Sequence, residues 1–204
     1  MGAPAPRAIA LVALAVLCLG GGPAIRRSVG GVIPPGRPRA ALLPFENLGG
    51  REEQGTFFSK VFFAQIVASG ALEMVDPSRV DEVMDSLAIR SAGSITPAQI
   101  QALGGAFQAP YLLLGSVLES GRLQSGGSDV PAVGATIRLV EVASGRVLWA
   151  GVHFRSGEDR EGLFGWGRVM NADKLVSQLA SEMLGDFRDA GARNRRSART
   201  GGSR

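Results

Sequence analysis

Tyr111-Leu112-Leu113-Leu114-Gly115-Ser116-Val117-Leu118, entered through Pro110, is apolar at nearly every position. A strand with one wet face alternates apolar and polar side chains, whereas a strand covered on both faces does not. The stretch therefore predicts a central strand with packing on either side. Downstream, residues 136–142 and 146–154 are two further β-rich runs, joined by Ala143-Ser144-Gly145. A three-residue connection ending in glycine is a hairpin signal, so a sheet continues from the central strand.

Upstream, the pattern changes period. Residues 39–45 form a short apolar run stopped by Asn47-Leu48-Gly49-Gly50, a buried strand running into a loop. Residues 56–69 place Phe57, Val61, Ala64, Ile66 and Ala68 at spacings able to face a core as a helix. Residues 72–75 are a brief strand closed by Asp76-Pro77-Ser78, where Asp76 or Ser78 caps the next helix, which runs to about Ile89. Thr96-Pro97 starts another, with threonine as cap and proline at the first helical position. Residues 172–187 are a final amphipathic helix with Leu175, Val176, Leu179, Met183 and Phe187 inward. The fold class expected is α/β, a single domain over residues 39–187 with a mixed β-sheet and helices packed on it.

The ends of the chain differ from this body. A polar start reaching Arg7, twelve apolar residues at 8–19, and Gly20-Gly21-Gly22-Pro23-Ala24 form a secretory signal pattern, so residues 1–22 are read as a signal peptide or lipoprotein signal. Twelve apolar residues are fewer than the roughly twenty needed to cross a hydrocarbon core as a helix. Cys18, the one cysteine, closes the apolar run and is the candidate lipidation site, although Leu17 stands where a small residue normally precedes an acylated cysteine. Residues 23–38, with Pro34, Pro35 and Pro38, read as a linker, and residues 188–204 as a disordered basic tail.

A formal net charge of +4 suggests nucleic acid until its distribution is considered. Eleven arginines lie outside residues 40–187 against one acid, Asp189, so the body is acidic and presents no continuous phosphate-binding stripe. No nucleic-acid partner is expected. His153 is the one histidine and no cysteine lies downstream of residue 18, so no metal site or cofactor is expected; His153 reads as a strand-surface residue. No nucleophile–base constellation marks a catalytic centre. Glu158, Asp159 and Glu161 are the one acidic group that supports an alternative reading, a hydrolase of an envelope polymer. Phe164, Trp166 and Arg168, in a glycine-flanked stretch, are the interaction candidates, because aromatic and arginine side chains dominate binding hot spots.

Four markers in order complete the reading: Pro44-Phe45-Glu46-Asn47, Leu72-Glu73-Met74-Val75-Asp76, the central strand, and the hairpin Arg138-Leu139-Val140-Glu141-Val142-Ala143-Ser144-Gly145-Arg146-Val147-Leu148-Trp149-Ala150. Together they resemble the curli-assembly (CsgG) family and its relatives among outer-membrane lipoproteins: LpoB-like, FlgO-like and TolB N-terminal-domain-like proteins. The resemblance spans residues 39–187. It implies a non-catalytic protein of the periplasm or outer membrane that acts in envelope assembly or secretion by binding other envelope proteins, with homo-oligomers among its forms. A secretion channel of that family inserts long β-hairpins, each strand needing about 9–11 alternating residues. Residues 119–132 and 156–167 carry too much Gly, Ser, Asp and Pro, or too much charge, to supply them. The channel is therefore the alternative, not the leading expectation.

Overall fold

The computed structural model describes residues 25–30, 33–49, 53–125, 128–158 and 169–201. They form one mixed α/β domain. In chain order the elements are β1 (Ile25–Gly30), β2 (Arg39–Leu42), β3 (Glu46–Asn47), α1 (Gln54–Ser69), β4 (Glu73–Met74), α2 (Pro77–Ser86), α3 (Pro97–Phe107), β5 (Tyr111–Ser125), β6 (Ser128–Glu141), β7 (Val147–Ser156) and α4 (Ala172–Gly201). The seven strands make one sheet ordered β1-β7-β6-β5-β2-β4, with β3 beside β5. Pairing is parallel among β4, β2, β3 and β5 and antiparallel from β5 through β6 and β7 to β1.

β5 is the central strand that its continuous apolarity predicts. Leu113 and Val117 point to one face, into a core closed by α1 and α4; Leu112 and Leu114 point to the other, into a core closed by α2 and α3. Gly115 leaves room for the Phe45 ring, with which a Cβ at that position would collide. Phe45 in turn meets Phe58 and Phe62 at centroid distances of 4.9 and 5.9 Å.

The helix starts follow from local chemistry. Asp76 accepts from the Ser78 amide at 2.9 Å with Pro77 in the first turn. Thr96 and Gln99 form a reciprocal capping box behind Pro97, which satisfies backbone N–H groups that the helix itself leaves unpaired. α1 occupies the expected span with a rotated face. Phe58, Phe62 and Ile66 are buried, Phe57 and Val61 are half-buried, and Ala64 and Ala68 face solvent. The larger aromatic side chains take the sheet-facing stripe because they remove more apolar area from water.

Three expectations need correction. The linker expected over residues 23–38 contains β1, which pairs with β7 over six residues, Ile25↔Phe154 to Gly30↔Trp149. It carries no hydrophobic alternation because it is an edge strand exposed on both faces. The disordered tail expected from residue 188 is helical to Gly201 as the continuation of α4. Ala190 is buried and Gly191 sits under Ile33, so small residues extend the inward stripe one further turn beyond Phe187. Finally, residues 119–125 and 128–132, whose Gly, Ser, Asp and Pro content argued against alternation, are strand. They complete β5 and begin β6, in register from Glu119↔Gly134 to Ser125↔Ser128. The last pairing of β6 with β7 is Ala132↔Ser156, so only a four-residue overhang of the hairpin projects beyond its neighbour, shorter than a membrane strand requires. No helix among the described residues is long and apolar enough to cross a membrane.

Candidate functional site

The two faces of the sheet are unequally covered. α1 and α4 lie across one face from β2 to β7. On the other, α2 and α3 cover β2, the start of β5 and Val140 of β6, and no described helix covers β1, β7 or the rest of β6. Registers align three rows of side chains across this open half: Arg138–Ala150–Val29, Thr136–Val152–Arg27, and Gly134–Phe154–Ile25. Val29 is 77% exposed, Ile25 44% and Val152 41%. The Phe154 ring lies over Gly134, 3.1 Å from where a Cβ would stand. An apolar strip with two arginines at the edge of a sheet is therefore presented to the surroundings.

Behind it, on the covered face, a charged network joins β1, β7 and α4. Asp186 and Glu182 are one turn apart on the sheet-facing side of α4. Asp186 binds Arg26 of β1 through Oδ1, and its Oδ2 lies 3.1 Å from His153 Nε2 of β7, off hydrogen-bond alignment. Arg155 Nη1 donates to Glu182 Oε1 at 2.7 Å with its side chain 4% exposed. Alternation along β7 explains the juxtaposition: Trp149, Gly151, His153 and Arg155 share one face. Trp149 lies edge-on to Phe187 with centroids 5.2 Å apart. The network fixes β1, and thereby the open strip, to the domain.

His153 is thus fully buried, not on the strand surface as its position near a strand end suggested. Burial pushes its pKa below the ordinary value of 6.5; Asp186 opposes that shift and Arg26 adds to it. As pH falls below 6.5 the unfolded chain takes up a proton that the folded chain resists, so folding stability is expected to fall. The slope is limited to about 1.4 kcal/mol per pH unit for one proton. Urea denaturation between pH 7.5 and 5 measures it. His153→Gln is expected to flatten the curve, and an unchanged slope would assign the acid sensitivity to other groups.

Among the sequence-derived site residues, Cys18, Phe164, Trp166 and Arg168 lie outside the described residues, as do Asp159 and Glu161. Glu158 is half-buried at the end of the β7 turn. The structure fixes the base from which residues 159–168 depart: Gly157 N–H donates to Pro131 O, and Val169 N–H donates to Gly157 O, both at 2.8 Å. A Cβ at Gly157 would collide with the Val169 carbonyl. No group of three or more His, Cys, Asp or Glu able to hold a metal occurs among the described residues. Arg26, His153, Arg155, Glu182 and Asp186 were not singled out as a group in the sequence. The available signal was two acids, Glu182 and Asp186, interrupting the polar edge of an otherwise apolar helix stripe opposite charged residues at alternate strand positions.

Comparison with known proteins gives no matching family model and no match among curated proteins. Solved structures do align. PelC from Paraburkholderia phytofirmans, solved as a dodecamer, superimposes with a TM-score of 0.53 at 20% identity, covering 79% of this chain and 95% of PelC. Lipoprotein GNA1162 from Neisseria meningitidis gives 0.54 at 17% identity over 74% of this chain and 99% of the lipoprotein. The C-terminal domain of LpoB from Escherichia coli aligns more loosely, at 0.44 and 13% identity over 58% and 82%. The first two likenesses establish a shared fold.

Proposed function

We propose that this chain is an exported, non-catalytic envelope protein of curli-assembly-like type, which self-assembles and acts by binding other envelope proteins. The observation that carries the reading is the junction at the N-terminus. A signal-type segment ends at residues 18–24, and the first strand of the domain begins at Ile25. That domain has the fold of a Neisseria lipoprotein and of PelC, whose structure is a dodecamer. Six residues separate Cys18 from β1, a reach of about 20 Å when extended. A lipid on Cys18 would therefore hold the open half of the sheet close to the outer membrane, while cleavage after Gly22 or Ala24 would release a periplasmic domain starting at or just before β1.

Non-catalytic action is supported by the kind of charge the fold buries. Arg155 and Glu182 form an ion pair between a strand and a helix, with His153 and Asp186 beside them. Buried pairs of this type hold geometry in place. The hydrolase reading rests on Glu158 together with Asp159 and Glu161 and gains nothing further. The channel reading is weakened by the short hairpin overhang.

The test is fractionation of cells expressing the full chain, with mass spectrometry of the purified N-terminus. The expected product is in the envelope fraction and begins at Cys18 carrying an acylated glyceryl group, or at Pro23 or Ile25. In the lipidated case, Cys18→Ser leaves the precursor unprocessed. Recovery of an intact chain beginning at Met1 in the cytoplasm would overturn the reading.

A further inference from the structure

We propose that the open half of the sheet is the receiving surface for a second copy of this chain, and that the donated surface is the acidic groove beside α2. The inference rests on the self-assembly reading above and names the surfaces that reading leaves unspecified.

A closed assembly of more than two identical subunits built from one contact needs two different, complementary surfaces on each copy. The sheet order supplies two at opposite lateral ends. At the β1 end is the open strip of Ile25, Val29, Val152 and Phe154, flanked by Arg27 and Arg138. At the other end, α2 packs against β2, and beside it lies a groove of about 830 Å³ with Asp81 and Asp85 on its rim and Met84 and Ile89 in its lining. Asp81 and Asp85 stand one helical turn apart. Neither forms an ion pair among the described residues, and neither does Arg27 or Arg138. Arg90 also lines the groove, at the end away from the α2 N-terminus, and leaves it net acidic.

On its outer face no described helix covers the strip, whereas α2 and α3 cover the other half of the sheet. An α2 from the next copy would extend that cover across β6, β7 and β1. Apolar strand side chains would then enter the groove while Arg27 and Arg138 meet Asp81 and Asp85. Buried apolar area would supply the affinity, and the charges would fix register and exclude the reverse orientation. Two copies of the arginine-bearing strip repel each other, as do two acidic grooves, so the contact propagates head to tail.

The experiment compares the full wild-type chain with Arg27→Glu/Arg138→Glu and Asp81→Lys/Asp85→Lys by light scattering and native mass spectrometry in detergent at micromolar concentration. All four side chains are exposed, and circular dichroism checks that each variant is folded. The wild type is expected to be oligomeric, and each reversed variant alone monomeric. Mixing the two should restore an oligomer of 1:1 composition, because each reversed surface complements the reversed surface of the other variant. Alanine replacements at the same four positions should weaken assembly at least tenfold. If either reversed or alanine variants keep the wild-type oligomer, or the mixture stays monomeric, these surfaces are wrong and the self-assembly reading survives. A monomeric wild type overturns both. If that monomer instead binds phosphatidylglycerol vesicles and loses binding on Arg27→Glu/Arg138→Glu, a lipid surface occupies the strip, and the inference fails.

Discussion

Trp149→Ala is expected to lower the free energy of unfolding by about 3–5 kcal/mol, the range for truncating a large buried aromatic. The side chain is 1% exposed and stands at the meeting point of β7, β1 and α4. It packs edge-on to Phe187, and its ring also occupies the space that a side chain at Gly151 would claim. Neighbours cannot readily collapse into the resulting void. Phe187 sits on a helix tied elsewhere by Gln65 to the Ser177 carbonyl, and Gly151 has no side chain to move. The loss therefore combines transfer and cavity terms. Urea unfolding followed by tryptophan-independent circular dichroism measures it, and a change under 1 kcal/mol would mean that α4 is not seated on β7 as described. The same variant should loosen β1, since Gly30 is the register partner of Trp149. Faster amide exchange in β1 than in β5 would report that loosening.

The second large effect is expected from Glu182→Ala, about 3 kcal/mol of destabilisation, which is the scale for taking away one partner of a buried ion pair. Arg155 is almost wholly enclosed and cannot regain bulk water without lifting α4 from β7. Removing both charges with apolar residues of similar volume, Arg155→Met with Glu182→Leu, should recover most of the loss. A double-mutant cycle by denaturation distinguishes the outcomes. If the double variant is as unstable as the single one, Arg155 contributes through packing of its stem and not through its charge.

Several elements were legible because local chemistry alone selects them. Asp76-Pro77 and Thr96-Pro97 start helices wherever they occur before an apolar-periodic run, since the cap and the missing proline N–H both suit a first turn. The strand at residues 111–118 and the glycine-closed hairpin after it were equally plain, and with them the mixed sheet. The inward stripe of α4 was legible at Leu175, Val176, Leu179, Met183 and Phe187, all of them buried.

Other features carried no local signal. β1 has none of the alternation that marks a half-buried strand, because its side chains are exposed on both faces and its formation depends on the free edge of β7, more than a hundred residues away. The rotation of α1 was set by which stripe could reach Phe45 and α4, and the periodicity admitted more than one stripe. Residues 119–125 and 128–132 showed no strand alternation because their pairing is set by hydrogen-bond partners across the hairpin. His153 has the composition of a surface residue and is buried only because α4 brings Asp186 over it.

By itself, then, the sequence determined the helix starts, the central strand and the class of the fold, all of which depend on neighbours within a few residues of one another. The tertiary structure decided the edge strand, the buried charge network and the half-covered sheet. Each of those depends on pairings between distant segments, and a polar residue's burial is settled by what packs over it and not by its own chemistry.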